Sequence, residues 1–256
     1  MSTDESPDRA PGLGIPAHIE ACLFDLDGVL TPTAALHATA WKTTFDGFLE
    51  RRDGPGYRPF DKVADYDEYV DGLPRADGVR SFLASRGIEL PEGSAGDPPD
   101  RDTVRSLGER KNDLLLQDIR TKGVEAYPGS VRFVRAVEAA GIHRAVVSSS
   151  ANCRDVLIGA GIEDLFEVRI DAGVAHEQHL AGKPHPDTFL AAARALGVDP
   201  AHAAVFEDAL AGMDAGRTGG FGFVIGVNRT GQADALKRHG ATVVVDDLAD
   251  LLGDRA

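Results

Sequence analysis

Cys22-Leu23-Phe24-Asp25-Leu26-Asp27-Gly28-Val29-Leu30-Thr31 is the stretch on which the reading of this chain turns. A short apolar run ends in two carboxylates separated by one leucine, and a glycine follows. In a strand, side chains at i and i+2 point the same way. Asp25 and Asp27 therefore share one mouth, while Leu26 faces the core. One carboxylate can attack phosphorus or hold a metal ion, and the other can move a proton. Gly28 permits a sharp turn that brings backbone close to a ligand. An acidic strand-to-loop turn without function is the plainer reading, and the rest of the chain weighs against it.

Downstream of this strand the pattern is helical. Thr33 to Glu50 reads as an amphipathic helix, broken by the Gly/Pro/Arg stretch Arg51 to Pro59. Asp65–Asp71, Arg75–Arg86 and Asp102–Thr121 read as further helices, with a Pro/Gly/Asp-rich loop at Pro91–Asp100. From Pro128 onward strands and helices alternate. Helices are expected at Val131–Ala140, Asn152–Ala160, Pro186–Leu196 and Ala209–Gly216. Strands are expected at Arg144–Ser148, Val168–Asp171, Ala203–Phe206, Phe221–Gly226 and Thr242–Val245. Such alternation implies βαβ units and a parallel sheet. The expected fold is α/β, a doubly wound, Rossmann-like parallel sheet with an inserted helical cap. Residues 16–33 and 126–256 form the core, residues 34–125 the cap, and the polar, Pro/Gly-containing residues 1–15 a disordered tail.

Composition narrows the function. A chain of 256 residues with 43% hydrophobic content suits a core with an inserted domain. A net charge of −14 argues against nucleic-acid or anionic-membrane binding. A phosphorylated substrate would then need local cations or a metal. Cys22 and Cys153, the two cysteines, show neither zinc spacing nor a disulfide framework, which fits reduced thiols in the cytoplasm. The first residues lack the basic start and apolar stretch of a signal peptide. No apolar run is long enough to span a bilayer.

In an open α/β sheet, ligands bind beyond the carboxyl ends of the strands. Four segments there carry polar clusters: Asp25/Asp27, Ser148-Ser149-Ser150-Ala151-Asn152, Gly182-Lys183-Pro184-His185-Pro186-Asp187, and Glu207-Asp208. One lysine, several hydroxyls and four acids make a phosphoryl-transfer inventory. Acid oxygens suit a hard cation such as Mg²⁺. Ser148, Ser149, Ser150 and Asn152, with helix N-terminal amides, can hold phosphate oxygens. Lys183 can neutralise developing charge.

These four segments, in this order, resemble the haloacid dehalogenase superfamily of phosphotransferases, from Ala21 nearly to the end of the chain. Asp25-Leu26-Asp27-Gly28-Val29 matches its first motif, Ser148 the second, Lys183-Pro184-His185-Pro186-Asp187 the third, and Glu207-Asp208-Ala209-Leu210-Ala211-Gly212 the fourth. The resemblance implies Asp25 as the nucleophile that forms an aspartyl-phosphate and Asp27 as the general acid/base. It implies Mg²⁺ held by Asp25, the Asp27 carbonyl, Glu207 and Asp208, and a phosphate gripped by Ser148, Asn152 and Lys183.

Thr33, His37 and Trp41 recur every four residues and so share a helix face. On pattern alone Trp41 reads as a core anchor and His37 as a surface residue. The run Asp25 to Trp41, however, resembles the β-phosphoglucomutase subgroup, which implies that His37 positions Asp27 and couples cap closure to chemistry. Val70-Asp71-Gly72-Leu73-Pro74-Arg75 resembles the subgroup's specificity loop, with Gly72 and Arg75 at matching places and Arg75 on the phosphate that is not transferred. Glu109-Arg110-Lys111-Asn112-Asp113 resembles the segment presenting Lys111 and Asn112 to a sugar phosphate. The chain departs from the family's pattern at Pro32, Asp71, Ala151 and Ala209; Asp71 and Ala151 stand where lysine is frequent.

The resemblance thus implies a Mg²⁺-dependent phosphomutase acting on β-D-glucose 1-phosphate and glucose 6-phosphate, with β-glucose 1,6-bisphosphate as intermediate and activator. A phosphatase of the same family, in which water attacks the aspartyl-phosphate, is the alternative. A non-catalytic binding protein is a third reading, against which the full set of reactive residues speaks. A small-molecule substrate, no nucleic acid, no membrane and a monomer are expected.

Overall fold

The structure, a computed structural model, describes residues 12–253 except positions 96 and 99. A parallel sheet is formed by β1 (Ala21–Phe24), β2 (His143–Val147), β3 (Val168–Ile170), β4 (Ala203–Glu207), β5 (Phe223–Val227) and β6 (Val243–Val245). Its order is β3-β2-β1-β4-β5-β6, with every pairing parallel. The chain moves outward one way from β1, returns, and moves outward the other way, which is the doubly wound order.

β1 lies in the middle and is buried throughout. A central strand covered on both faces reads as a continuous apolar run, as Ala21 to Phe24 does. Its alternate residues enter different layers. Cys22 and Phe24 join Phe133, Val137, Val146 and Phe206 on one face. Ala21 and Leu23 join Ala145, Phe189, Val205 and Met213 on the other. Leu26 continues the first layer, as the spacing of Asp25 and Asp27 requires.

The helices are α1 (Ala34–Asp53), α2 (Ala64–Tyr69), α3 (Arg75–Ser85), α4 (Val104–Lys122), α5 (Pro128–Ala139), α6 (Cys153–Gly159), α7 (Ala172–Glu177), α8 (Asp187–Leu196), α9 (Leu210–Thr218) and α10 (Ala233–Arg238). Helices α1–α4 make the insertion after β1, which holds no strand among the described residues. Its own core is aromatic: Trp41 stacks on Phe45 at 4.9 Å, and Phe45 packs on Phe82 at 4.2 Å. Tyr127 N donates to the Leu30 carbonyl, so the exit of the insertion is pinned beside its start. Among the described residues, no helix is long and apolar enough to cross a membrane.

Three sequence expectations change. Residues 12–15 are not a loose tail: Leu13 and Ile15 are buried, and Gly14 N donates to the Leu251 carbonyl at 2.6 Å. Two alternating apolar residues among prolines and glycines close the end of the core against the C-terminal turn; residues 1–11 lie outside the described residues. Helix α7 was not foreseen, being a six-residue turn too short to show a period and capped by the Asp171 side chain accepting from Val174 N. Thr33 stands at the N-cap position of α1, where its side chain makes no capping hydrogen bond and donates to Asp27 instead. Both cysteines are free and buried, and burial pushes both thiols up, well away from thiolate reactivity.

Candidate active site

β1 and β4 are neighbours in register, Phe24 opposite Phe206, and Asp25 N donates to the Phe206 carbonyl at 2.9 Å. The next residue of each strand end therefore brings Asp25 and Glu207 side by side. Two buried carboxylates would repel one another. Lys183 lies between them, 2.5 Å from Asp25 Oδ1 and 2.5 Å from Glu207 Oε1, and also donates to the Val147 carbonyl. Burial works against the Lys183 charge, but Asp25 and Glu207 outweigh it and hold the ammonium above its ordinary range.

Asp25, Glu207 and Asp208 bring carboxylate oxygens within 4.8 Å of one another. Asp208 Oδ1 is buried with no hydrogen-bond partner. Three clustered acids with an orphaned oxygen fit a hard cation that takes oxygen ligands. The Asp27 carboxylate is not part of the trio, because Thr33 Oγ1 donates to its Oδ1 and turns it toward the cap. Gly28 has φ 91°, and a Cβ there would lie 1.7 Å from Asp208 Oδ2. The glycine thus serves both the turn and the close approach of Asp208.

The β2 end supplies a folded loop. Ser150 N donates to Ser148 Oγ, and Asn152 N donates to Ser150 Oγ. Two of its side chains reach the cap: Ser149 Oγ donates to the Gly72 carbonyl at 2.7 Å, and Asn152 Nδ2 donates to Asn112 Oδ1 at 2.9 Å. Gly72, at φ 71°, lies against Ala209, where a Cβ would sit 2.9 Å from the Ala209 Cβ. The cap is therefore docked on the core through the β2–α6 and β4–α9 loops.

On the cap side, His37 Nε2 lies 3.5 Å from Asp27 Oδ1, and Lys111 Nζ lies 3.1 Å from His37 Nδ1. Lys111 also rests over the Trp41 ring at 4.9 Å. Burial and the neighbouring Lys111 charge push the His37 imidazole down to about 4, so it is neutral near pH 7. Its Nδ1 accepts from Lys111 and its Nε2–H faces Asp27. Burial pushes Lys111 down to about 7, against the attraction of Asp27. Arg75 is half-buried, donates weakly to the Gly108 carbonyl at 3.4 Å, and keeps the rest of its guanidinium for the cavity.

Core and cap enclose a cavity of about 50 Å³. Small-ligand pockets run about 300–1,000 Å³, so the cap stands close on the core and leaves less room than a small ligand fills. Of the residues singled out in the sequence, Asp25, Asp27, His37, Trp41, Gly72, Arg75, Lys111, Asn112, Ser149, Ser150, Asn152 and Asp208 line the cavity. Thr33, Ser148, Lys183 and Glu207 lie one layer behind it, all buried. Thr33 holds Asp27, and Lys183, itself paired with Glu207, holds Asp25.

Two residues, Tyr66 and Arg229, were not foreseen. Tyr66 lines the cavity beside Asp71, which the sequence offered as a departure in charge within the segment resembling the specificity loop. Burial, Glu207, Asp67 and Asp27 push the Asp71 carboxyl up to about 8. Arg229 donates from Nε to the Gly28 carbonyl at 2.6 Å and stacks 3.8 Å over the Tyr127 ring, bracing the loop that carries Asp25 and Asp27.

Comparison with known proteins agrees with this geometry. The family model for haloacid dehalogenase-like hydrolases matches residues 19–220. A β-phosphoglucomutase of Mycobacterium tuberculosis is 56% identical over 250 residues, 95% of each chain. A β-phosphoglucomutase of Bacillus subtilis is 33% identical over 91% of this chain and 92% of its own. The crystal structure of a β-phosphoglucomutase from Clostridium difficile matches with a TM-score of 0.71 and 30% identity, over 91% of this chain and 93% of that one.

Proposed function

This chain belongs to the haloacid dehalogenase-like hydrolase family, and within it we propose a phosphomutase that interconverts β-D-glucose 1-phosphate and glucose 6-phosphate. The observation that carries the reading is that side chains able to hold a phosphate stand on both sides of the cavity. Lys183 stands behind Asp25 in the core, while Arg75, Lys111 and Asn112 face the cavity from the cap. A reaction that moves a phosphoryl group between two positions of one sugar needs a second phosphate anchor. The likeness to β-phosphoglucomutases over nearly the whole chain supports the same reading.

Asp25 takes the phosphoryl group as an aspartyl-phosphate, passes it to the sugar to give the 1,6-bisphosphate, and recovers the other phosphate after the sugar has turned over. Asp27 deprotonates the attacking hydroxyl and protonates the leaving oxygen. His37, neutral and held by Lys111, offers its Nε2–H to Asp27 and ties the state of that carboxyl to the closed cap. Asp25, the Asp27 carbonyl, Glu207 and Asp208 would hold Mg²⁺, which would supply charge neutralisation to the transferring phosphoryl group. Closure through Gly72 and Ser149 excludes water, which would otherwise discharge the aspartyl-phosphate. β-Glucose 1,6-bisphosphate is the intermediate and the activator that first loads Asp25. The same reading has the protein act as a cytoplasmic monomer on a small-molecule substrate.

The test is one assay with Mg²⁺, β-glucose 1-phosphate and a trace of β-glucose 1,6-bisphosphate, following glucose 6-phosphate and free phosphate together, with Asp25→Asn as control. Glucose 6-phosphate well ahead of free phosphate is expected. Free phosphate alone would replace this reading with a sugar-phosphate phosphatase.

A further inference from the structure

The turn that follows Asp27 is held from outside at three successive carbonyls. Inside the turn, Gly28 N donates to the Thr31 carbonyl, and Leu30 N and Thr31 N donate to the Leu26 carbonyl. The carbonyls of Gly28, Val29 and Leu30 accept from Arg229 Nε at 2.6 Å, Ser130 Oγ at 2.7 Å and Tyr127 N at 2.8 Å. Tyr127 and Ser130 stand at the start of α5, where the chain returns from the cap. Arg229 comes from the loop between β5 and α10 and stacks 3.8 Å over the Tyr127 ring. One side chain therefore touches both the turn and the segment that holds the rest of the turn. The next residue, Thr230, donates to Asp67 of the cap helix α2 at 3.1 Å.

Arg229 is placed to position backbone and not to pair with an acid. Its side chain is 17% exposed, and among the described residues its nearest carboxylate, Asp247, is 4.0 Å away. Its hydrogen bonds go to two backbone carbonyls, Gly28 and Asp246, the second at 2.9 Å. Nη2 is buried and has no hydrogen-bond partner among the described residues. A buried donor left unpaired is destabilising, so a side chain that only filled this space would be better apolar. A planar guanidinium can stack on a ring and donate along its edge at once. Its grip falls on the softest point of the turn, because Gly28, at φ 91°, has no side chain to restrain it. A hydrogen bond from a charged donor is about twice as strong as a neutral one, which makes this the strongest of the three holds.

Resting on the reading of Asp25 as nucleophile and Asp27 as general acid/base, we propose that Arg229 is a positioning residue for phosphoryl transfer. It fixes the turn that follows both carboxylates and ties that turn to the cap at two places, through Tyr127 and through its neighbour Thr230. Arg229 does not line the cavity, so it acts through the turn and not on the substrate. The approach of Asp25 to phosphorus depends on where the turn sits, and a displacement of about 1 Å costs about 100-fold in rate. Arg75, Lys111 and Asn112 face the cavity from the cap, so the groups proposed to hold the sugar phosphate stay in place without Arg229.

The experiment measures kcat and KM for β-glucose 1-phosphate in wild type, Arg229→Met, Arg229→Lys, Tyr127→Leu and the Arg229→Met/Tyr127→Leu double variant. Glucose 6-phosphate and free phosphate are followed together, and thermal melting is the folding control. Arg229→Met is expected to lower kcat by about 10- to 100-fold with KM little changed. Arg229→Lys, which keeps the charge and one donor, should recover part of the lost kcat. Tyr127→Leu should lower kcat in the same direction, and the double variant should fall no further than Arg229→Met, because the two side chains act as one unit. A raised KM with unchanged kcat would overturn the assignment in favour of a binding role. A lowered melting temperature with unchanged kcat would overturn it in favour of a scaffolding role. If Arg229→Met does not fold, Arg229→Lys and Tyr127→Leu decide, and unchanged kcat in both overturns the assignment. A wild type that releases free phosphate alone would overturn the phosphomutase reading instead, and the same comparison of kcat, read on phosphate release, would then decide the role of Arg229.

Discussion

Lys111 Nζ, carried by a cap helix, lies 3.1 Å from His37 Nδ1, and the opposite nitrogen of that ring faces Asp27 of the core. The contact orients a neutral imidazole, because a donor at Nδ1 leaves the ring proton on Nε2, toward Asp27, the proposed general acid/base. Lys111 and His37 come from α4 and α1, so the orientation exists only while the cap helices hold their packing around Trp41.

Lys111 is held near 7 by burial. As pH rises through that value the ammonium becomes an amine and would lose the hold on phosphate proposed for it. KM for the sugar phosphate should rise by up to about tenfold between pH 7 and pH 9, the loss of one charge-assisted hydrogen bond. Lys111→Arg, charged throughout, should flatten the rise. Steady-state kinetics across this pH range measure it.

The same shift links to stability. Between about 7 and the ordinary lysine value of 10.5 the unfolded chain carries a proton that the folded chain does not. Stability therefore gains from Lys111 as pH rises across that window. Urea unfolding at pH 7 and pH 9.5 should show a larger gain for wild type than for Lys111→Met; equal gains would sink the assignment.

Lys183 offsets the repulsion of Asp25 and Glu207. Lys183→Met should abolish phosphoryl transfer and destabilise the fold by about 3–5 kcal/mol, since it strands buried acids. Asp25→Asn combined with it should recover part of that loss. Chemical denaturation of the two variants reads the coupling.

Gly28→Ala should act through Asp208, because the new Cβ would lie 1.7 Å from its Oδ2. The expected result is a 10- to 100-fold weaker requirement curve for Mg²⁺, by about the amount that disturbing a metal ligand's support costs. Activity against Mg²⁺ concentration checks it, and an unaltered curve would show that Asp208 does not serve the cation.

Ser149→Ala removes the hydroxyl that donates to the Gly72 carbonyl, one of the cap-to-core links. One such bond is worth about 1 kcal/mol, so water should reach the aspartyl-phosphate about fivefold more often. The ratio of free phosphate to glucose 6-phosphate should increase by that factor, with little change in thermal stability.

The doubly wound sheet, the helical insertion and the strand-end clusters were legible in the chain itself, because each rests on local pattern. Period two in Cys22–Asp27 aligns Asp25 with Asp27, and alternation of strands with helices after Pro128 requires a parallel sheet. Position at the strand ends then places Ser148, Glu207 and Asp208 at one edge, whereas Lys183 reaches them from the loop between α7 and α8, not from a strand end. Tertiary structure alone decided which of these meet the cavity and which stand behind it, so that Thr33 and Lys183 became supports of Asp27 and Asp25. It also built Leu13 and Ile15 into the core, brought Arg229 onto the Gly28 carbonyl, and made a wall of Tyr66 and Asp71. Those contacts join segments far apart in the chain, and no periodicity records the docking of a cap on a sheet, which depends on the packed shape of both surfaces.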